Sequence, residues 1–337
     1  MSAPALPPRL IGHEPRERAF LDAMAGGRMP HAWLLAGPRG VGKATFAHMA
    51  AAALLSDAAP GARLALDPAD PVHAAIASGN EPRLIPLVRT PGKTGTLRTE
   101  IVVDDVRALL DRFSLAETEA RWRAVIVDAA EEMNPSAANA LLKFLEEPPP
   151  RTVLFLVSHA PGALLPTLVS RCRRLAFPAL DDAAVAEACA LAGATPEAAV
   201  LSAARGSVGA ALSLAEGTGA ALSAALAKAL APLPARIDRG AVHALADMAA
   251  TKGEEDAFHA AARLLSDAAA RLAVAATGAD EAPDGMAHLA AAAPSAAWAE
   301  AASGIEATAR RAAALNLDRR QALLDMVARL ERAAARP

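Results

Sequence analysis

The chain is poor in aromatic residues and in cysteine. Of its 337 residues 3% are aromatic and tyrosine is absent, so alanine and aliphatic residues supply most of the 53% hydrophobic content. The two cysteines, Cys172 and Cys189, are too few for a disulfide framework or a four-cysteine zinc site, and we expect both to be small buried apolar residues. Because alanine is the strongest helix former, the composition favours a mostly helical protein.

Strong charge bias and long apolar runs are also missing. The formal net charge of −3 excludes a polycation that coats nucleic acid, so any contact with DNA should be local or shared with partner chains. No stretch is apolar over the roughly 18 residues that a membrane span needs. The start, MSAPALPPRL, lacks the charged and apolar segments of a secretory signal. We therefore expect a cytoplasmic protein with no membrane partner.

The sequence changes character along its length, which exceeds what one hydrophobic core usually organises. Residues 1–178 alternate strand-like apolar runs with helical patterns, which predicts an α/β domain with a parallel sheet and helices on both faces. Residues 179–235 contain short alanine-rich helices that end at a proline-rich linker. Residues 236–337 contain longer helical patterns. The sequence therefore predicts three domains with these boundaries.

One stretch has the order strand, glycine-rich loop, helix. An apolar run over 32–36 precedes the loop GPRGVGK, and helix formers follow it. Gly37, Gly40 and Gly42 allow backbone N–H groups to turn toward an anion, and the helix adds its positive N-terminal end. Lys43 can then reach the outer phosphates of a nucleotide. The stretch predicts a phosphate-binding loop.

The metal-binding part of this loop is incomplete. Phosphate loops place Ser or Thr directly after the lysine to hold Mg²⁺, but here Ala44 follows Lys43, and Thr45 comes one position late. One position is a rotation of about 100° on a helix, so Thr45 cannot be assumed to take the metal. The strand VIVD ends in Asp128, the residue type that positions Mg²⁺ in phosphate-loop ATPases. These residues leave open whether the loop binds ATP and Mg²⁺. The scarcity of cysteine, by contrast, predicts no zinc site.

ATP hydrolysis also needs a group that orients the attacking water. This group is commonly a Glu directly after the aspartate of that strand. Here Ala129 and Ala130 follow Asp128, and Glu131 and Glu132 come too late to be assumed equivalent.

Four stretches together resemble a known family. They are LIGHE (10–14), PHAWLLAGPRGVGKAT (30–45), VIVDAAEEMNPSAANALLKFLEEPP (125–149) and LLPTLVSRCRRLAFPAL (164–180). They are similar to the AAA+ clamp-loader subunits of bacterial DNA polymerase III, and most closely to the delta-prime branch. The resemblance is specific over about the first 180 residues, and it implies an AAA+ core, a helical lid and a C-terminal collar for the three predicted domains.

The resemblance implies roles for individual residues. The Arg of the SRC motif, here Arg171, projects in this family into the ATP site of a neighbouring subunit as an arginine finger; the alternative is a surface arginine paired with a carboxylate. Ser158 occupies the first sensor position of the nucleotide site. The helix over 135–147 faces a central chamber in the family, so Asn139 and Lys143 are candidate contacts to the DNA backbone, unless the helix merely packs on the sheet.

The chain departs from the ATPase members of that family. Ala44 stands in place of the loop Thr, Ala129 in place of the Glu after the aspartate, and Ala210 in place of a sensor Arg in the lid. The insertion over 56–80 lacks the family's zinc-binding cysteines. The combination implies a delta-prime-type stator within the polymerase holoenzyme, which supplies Arg171 in trans but does not hydrolyse ATP. Its implied partners are gamma/tau and delta subunits in a hetero-oligomer that loads the sliding clamp onto primed DNA.

Two other functions stay open at this point. Lys43 and Asp128 could suffice for an active AAA+ ATPase of the gamma/tau type. A nucleotide kinase shares the phosphate loop, but it needs a second substrate pocket and gives the SRC motif and the helical tail no role. Hydrolysis by the isolated chain, lost on Lys43→Ala, would identify the active ATPase.

Overall fold

A computed structural model gives the architecture. The structure describes residues 6–58, 61–65, 67, 69–92, 98–114, 121–215, 218–250, 255–278, 282, 286–315 and 317–335. The chain forms two compact units, Met1–Ala192 and Gly193–Pro337. The finer division into three domains stays a prediction.

The first unit is built on a five-stranded parallel sheet. The strands are β1 (Ala32–Ala36), β2 (Leu84–Leu87), β3 (Arg123–Asp128), β4 (Thr152–Ser158) and β5 (Arg173–Ala176), and their order across the sheet is β2-β3-β4-β1-β5. The helices are α1 (Glu14–Ala25), α2 (Lys43–Leu55), α3 (Pro71–Ala77), α4 (Val103–Ser114), α5 (Pro135–Glu146), α6 (Pro166–Val169) and α7 (Asp182–Leu191). The predicted fold class of this part is confirmed.

Helices cover both faces of the sheet. On one face Phe20 of α1 and Phe46 of α2 pack with Phe155 of β4, and on the other Leu141 and Phe144 of α5 are buried. Because both faces are covered, the central strands are continuous apolar runs. The sheet thereby brings the carboxyl ends of β1, β3 and β4 to one edge, where the phosphate loop lies.

Strand β5 is an element that the sequence analysis did not predict. Only Leu175 of its four residues is buried, so it shows no apolar run. The guanidinium of Arg173 lies 4.9 Å from the ring centre of the buried Trp33, a cation–π contact that covers this edge of the sheet. Of the two cysteines expected to be buried, Cys189 is buried but Cys172 is only half-buried. Burial raises the pKa of Cys172 to about 12, so its thiol is unreactive near neutral pH.

The described part of the 56–80 insertion is attached to α1 by a buried carboxylate. The side chain of Glu17 is 1% exposed and receives Arg63 Nε at 2.9 Å on Oε2 and Arg63 Nη2 at 2.9 Å on Oε1. The backbone N–H of Leu64 donates to Oε2 as well, at 2.9 Å. Later in the insertion, Asp70 caps α3 by accepting from the N–H groups of Val72 and His73.

The second unit is helical. Its helices are α8 (Ala198–Ala204), α9 (Val208–Ala215), α10 (Thr218–Leu230), α11 (Arg239–Ala249), α12 (Glu255–Ala275), α13 (Ala287–Ala290), α14 (Ser295–Leu315) and α15 (Arg319–Ala334). One hydrophobic core runs through it, from Leu214 and Leu226 to Leu265, Trp298 and Leu323. In the described part of the chain, no helix is long and apolar enough to cross a membrane.

Candidate functional site

The predicted phosphate loop joins the carboxyl end of β1 to the start of α2. Gly40 and Gly42 have φ angles of 76° and 104°, in the left-handed region that glycine adopts without strain. Gly37 serves a different purpose, because a Cβ at this position would lie 1.9 Å from the backbone oxygen of Phe177. Gly40 and Gly42 therefore allow the loop to turn. Gly37 leaves room for the backbone of Phe177, which follows β5.

Lys43 is buried inside this loop with an exposed fraction of only 2%. Its Nζ donates to the backbone oxygens of Gly37, at 2.8 Å, and of Pro38. An ammonium has three N–H donors, so one remains for an anion. Burial lowers the pKa of Lys43 to about 8, and the nearby Asp128 and Glu131 oppose this shift. Lys43 therefore holds the loop closed and keeps one donor for a ligand.

Asp128 ends β3 beside the loop, as predicted. Burial raises the pKa of its carboxyl group, while His48 when protonated, Lys43 and Arg39 oppose the shift. His48 lies one turn after Ala44 on α2, and its Nδ1 donates to the Ala44 backbone oxygen at 2.8 Å. Burial lowers the pKa of His48, which favours the neutral imidazole. His48 belongs to no sequence motif and was not among the predicted site residues.

The residues present do not fit the Mg²⁺ site of a complete phosphate loop. Ala44 has only a methyl group where phosphate loops place the hydroxyl ligand, and Thr45 lies one position further along α2. Within the residues that the structure describes, no group of three or more His, Cys, Asp or Glu side chains could hold a metal ion. Asp128 therefore faces the cationic Lys43 and Arg39 without a neighbouring hydroxyl at position 44 that could share a metal ion with it.

A short 3₁₀ turn over Ala130–Glu132 brings Glu131 back to the site. Its Oε1 accepts a hydrogen bond from the backbone N–H of His159 at 2.8 Å. Its negative charge partly opposes the lowering of the Lys43 pKa by burial. From the sequence, Glu131 could not be assumed equivalent to a Glu directly after Asp128. Asp128 still belongs to strand β3 and Ala129 is extended, so the spacing between Asp128 and Glu131 alone did not reveal this approach.

Ser158, the predicted sensor residue, ends β4 and is fully buried. Its backbone oxygen accepts the N–H of Gly37 at 3.2 Å, which places it directly beside the loop. Three buried polar atoms here have no hydrogen-bond partner within the described chain: Ser158 Oγ, His159 Nδ1 and Glu131 Oε2. Burial lowers the pKa of His159, so its ring stays neutral near pH 7. Unsatisfied buried groups of this kind mark a place where water or a ligand binds.

The SRC motif forms the C-terminal end of α6. Ser170 Oγ and Arg171 Nη1 both donate to the backbone oxygen of Thr167, at 3.1 and 2.9 Å. Cys172 Sγ donates to the backbone oxygen of Leu168 at 3.2 Å. All three side chains therefore donate to carbonyls in the last turn of this helix. Leu168 is itself fully buried, which fixes the motif to the core.

Arg171 lies at the surface with 37% of its side chain exposed, and its Nη2 contacts Glu146 Oε1 at 2.9 Å. Pairing with a carboxylate was the alternative to a finger, and the structure contains such a pair within the chain. A guanidinium has five N–H donors, of which Thr167 and Glu146 take two. Three donors remain for a second chain, so the pair and a finger role are compatible.

Asn139 and Lys143 lie one turn apart on the exposed face of α5. Asn134 caps this helix by accepting an N–H at 2.9 Å, and the buried Leu141 and Phe144 fix the opposite face to the sheet. The two candidate DNA contacts thus point away from the core. Contact with DNA stays a prediction.

Comparison with known proteins shows relatives over the part of the chain that holds these features. A DNA polymerase III subunit delta' from Pseudomonas aeruginosa is 39% identical over 169 residues, which cover 50% of this chain and 49% of that protein. Subunit delta' from Bacillus subtilis is 33% identical, with 51% and 50% covered. A gamma/tau subunit from Mycobacterium tuberculosis is 32% identical, with 52% and 29% covered. The chain thus spans about half the length of its curated delta' relatives.

A solved DNA polymerase III gamma subunit-related protein from Thermotoga maritima is 17% identical, with a TM-score of 0.44, over 93% of this chain and 99% of that one. The family model described as DNA polymerase III, delta subunit, matches residues 12–181, half of the chain. This range contains the phosphate loop, Asp128 and the SRC motif. The chain therefore belongs to the DNA polymerase III delta-subunit family, which confirms the resemblance to clamp-loader subunits that its motifs carry.

Proposed function

We propose that this chain is a delta-prime-type stator subunit of a DNA polymerase III clamp loader. It docks on a gamma/tau ATPase subunit, lies in one hetero-oligomer with a delta subunit, and supports ATP-dependent loading of the sliding clamp onto primed DNA in the cytoplasm. The delta' relatives over the matched half of the chain support this role. The three-domain division, with a lid and a collar, belongs to the same proposal.

The observation that carries the proposal is the placement of Arg171. Its guanidinium is held at the surface by Thr167 and Glu146, with three N–H donors left for a neighbouring site. A guanidinium at the γ-phosphate neutralises charge that develops in the transition state, and it raises turnover by about 10³–10⁵ in known NTPases. At its own loop the chain has Ala44 and Ala129 where an ATPase needs a hydroxyl and a carboxylate. The chain is therefore better equipped to complete a neighbour's site than its own.

A second candidate function is that of an active AAA+ ATPase, and Glu131 is the observation that favours it. The 3₁₀ turn brings this carboxylate close enough to influence the charge of Lys43, beside a formed loop. From there it could orient a water in place of the missing Glu at position 129. Hydrolysis by the isolated chain, abolished by both Lys43→Ala and Glu131→Gln, would establish this second function.

The deciding experiment is ATP turnover in a reconstituted complex. The chain is combined with gamma/tau, delta and clamp from the same organism, and DNA-stimulated turnover is compared between wild type, Arg171→Ala and the control Arg107→Ala. Arg107 is a suitable control because it lies on α4 with 68% of its side chain exposed. We expect Arg171→Ala to remove the turnover of one ATP site without loss of assembly, and the isolated chain to be inactive. Unchanged turnover with Arg171→Ala, or activity of the isolated chain, would contradict the stator proposal.

A further inference from the structure

We propose that Glu146 is a positioning residue for Arg171, which holds the guanidinium in the orientation that a neighbouring ATP site needs. This inference rests on the proposed function, because only a finger donor benefits from a fixed guanidinium. The contact of Glu146 with Arg171 joins two motifs, FLEE and SRC, that lie 25 positions apart in the chain.

The guanidinium is held by acceptors from two different elements. Nη1 donates to the Thr167 backbone oxygen on α6, and Nη2 donates to Glu146 Oε1 at the last residue of α5, both at 2.9 Å. Thr167 alone would let the planar head group rotate about a single contact. With the second acceptor, the plane of the guanidinium is defined before any partner docks.

Both acceptors belong to residues whose sequence neighbours are buried. Phe144 and Leu145, which precede Glu146, are 1% and 3% exposed, and Leu168, which follows Thr167, is fully buried. The two anchors therefore keep a fixed distance from each other. An arginine side chain loses conformational entropy when it is held in one rotamer. Because these contacts already hold Arg171 in the isolated chain, less entropy is lost when a neighbouring subunit docks.

The exposure of the pair argues against a role in folding. The side chains of Arg171 and Glu146 are 37% and 51% exposed, and exposed ion pairs contribute little to stability. Together the Thr167 and Glu146 contacts leave three guanidinium N–H donors free, and these can contact a phosphate. Orientation is therefore the property that the pair controls, and Glu146 can be replaced without unfolding the chain.

The test uses the reconstituted complex with saturating primed DNA. Glu146→Ala removes the acceptor, Glu146→Gln keeps an amide oxygen that can accept from Nη2, and Glu147→Ala is the control at the adjacent exposed position. We expect Glu146→Ala to lower kcat about tenfold with an unchanged KM for ATP, because small misplacements of a catalytic group are costly. Glu146→Gln should retain most of the turnover, and Glu147→Ala all of it.

A double variant separates positioning from indirect effects. If Glu146 acts through Arg171, Glu146→Ala causes no further loss when Arg171→Ala is already present. Wild-type turnover with Glu146→Ala, a further loss in the double variant, or a gain of activity with Glu146→Ala would each overturn the inference. In those cases the proposed function stands as long as Arg171→Ala alone is defective. If Arg171→Ala has no effect, it is the proposed function that fails.

Discussion

The backbone of Phe177 closes over Gly37. A Cβ at Gly37 would lie 1.9 Å from the Phe177 oxygen, and the N–H of Phe177 donates to the Ala36 oxygen at 2.8 Å, so β5 and the phosphate loop are fixed to each other. The first glycine of the loop is therefore required by the packing of the sheet edge, whether or not phosphate binds. A glycine at position 37 is thus explained by packing alone.

Replacement of Gly37 by alanine should destabilise the first unit. The atom in the way is a backbone oxygen, which cannot rotate aside, so we expect a loss of at least about 1–3 kcal/mol in the free energy of unfolding. Gly162→Ala is the matched control, since a Cβ there meets nothing within 4 Å. Urea unfolding of both variants measures the difference. Equal midpoints for Gly37→Ala and wild type would contradict the close approach.

Removal of Arg63 should be costly, because it leaves the buried carboxylate of Glu17 without its charged partner. We expect Arg63→Ala to lower the free energy of unfolding by about 1–3 kcal/mol, the order found when a buried polar group loses a hydrogen-bond partner. Arg107→Ala, which breaks an exposed contact of 3.5 Å with Asp104, should cost less than about 0.5 kcal/mol. Thermal unfolding of the two variants tests this contrast. Similar losses of stability in both would show that the Arg63–Glu17 contact stabilises the fold no more than an exposed ion pair does.

Lys43 should lose its proton in the folded chain near pH 8, well below the ordinary lysine value of 10.5. Between these two values the unfolded chain binds the proton and the folded chain does not, so the contribution of Lys43 to stability rises with pH across this window. The chain has only five lysines, which makes the ε-carbon resonances separable by NMR, and Lys43→Met identifies the signal. A midpoint above pH 10 would show that burial does not control this ammonium.

The second unit should unfold as one cooperative body. Leu265 of α12 is fully buried in a core shared with α8 to α11, although the predicted lid and collar divide these helices between two domains. We expect Leu265→Ala to cost about 2–5 kcal/mol and to accelerate amide hydrogen exchange in α8 and α10 as well as in α12. Val274→Ala is the control on the same helix, since Val274 is 46% exposed. Faster exchange confined to α11–α15 would instead support an independent lid.

Local sequence patterns predicted the central features of the first unit. The apolar run at 32–36, the glycine spacing and the following helix formers predicted β1, the loop and α2, because each depends on residues that are close in sequence. Strand β2 contains Pro86 and pairs with β3 at the edge of the sheet, a position that suits a residue without a backbone N–H. The four matching stretches were sufficient to identify the family.

Other features were decided only by tertiary structure. β5 is four residues long and mostly exposed, so it becomes a strand only because β1 offers it a partner. Glu131 reaches the site through a short 3₁₀ turn, which the pattern of apolar residues does not predict. Glu146 contacts Arg171 only because the sheet brings the ends of α5 and α6 together. The sequence by itself determined β1, the phosphate loop, α2 and the family to which the chain belongs. The packing of those elements determined which charged groups face each other, because such contacts join residues that no local pattern links.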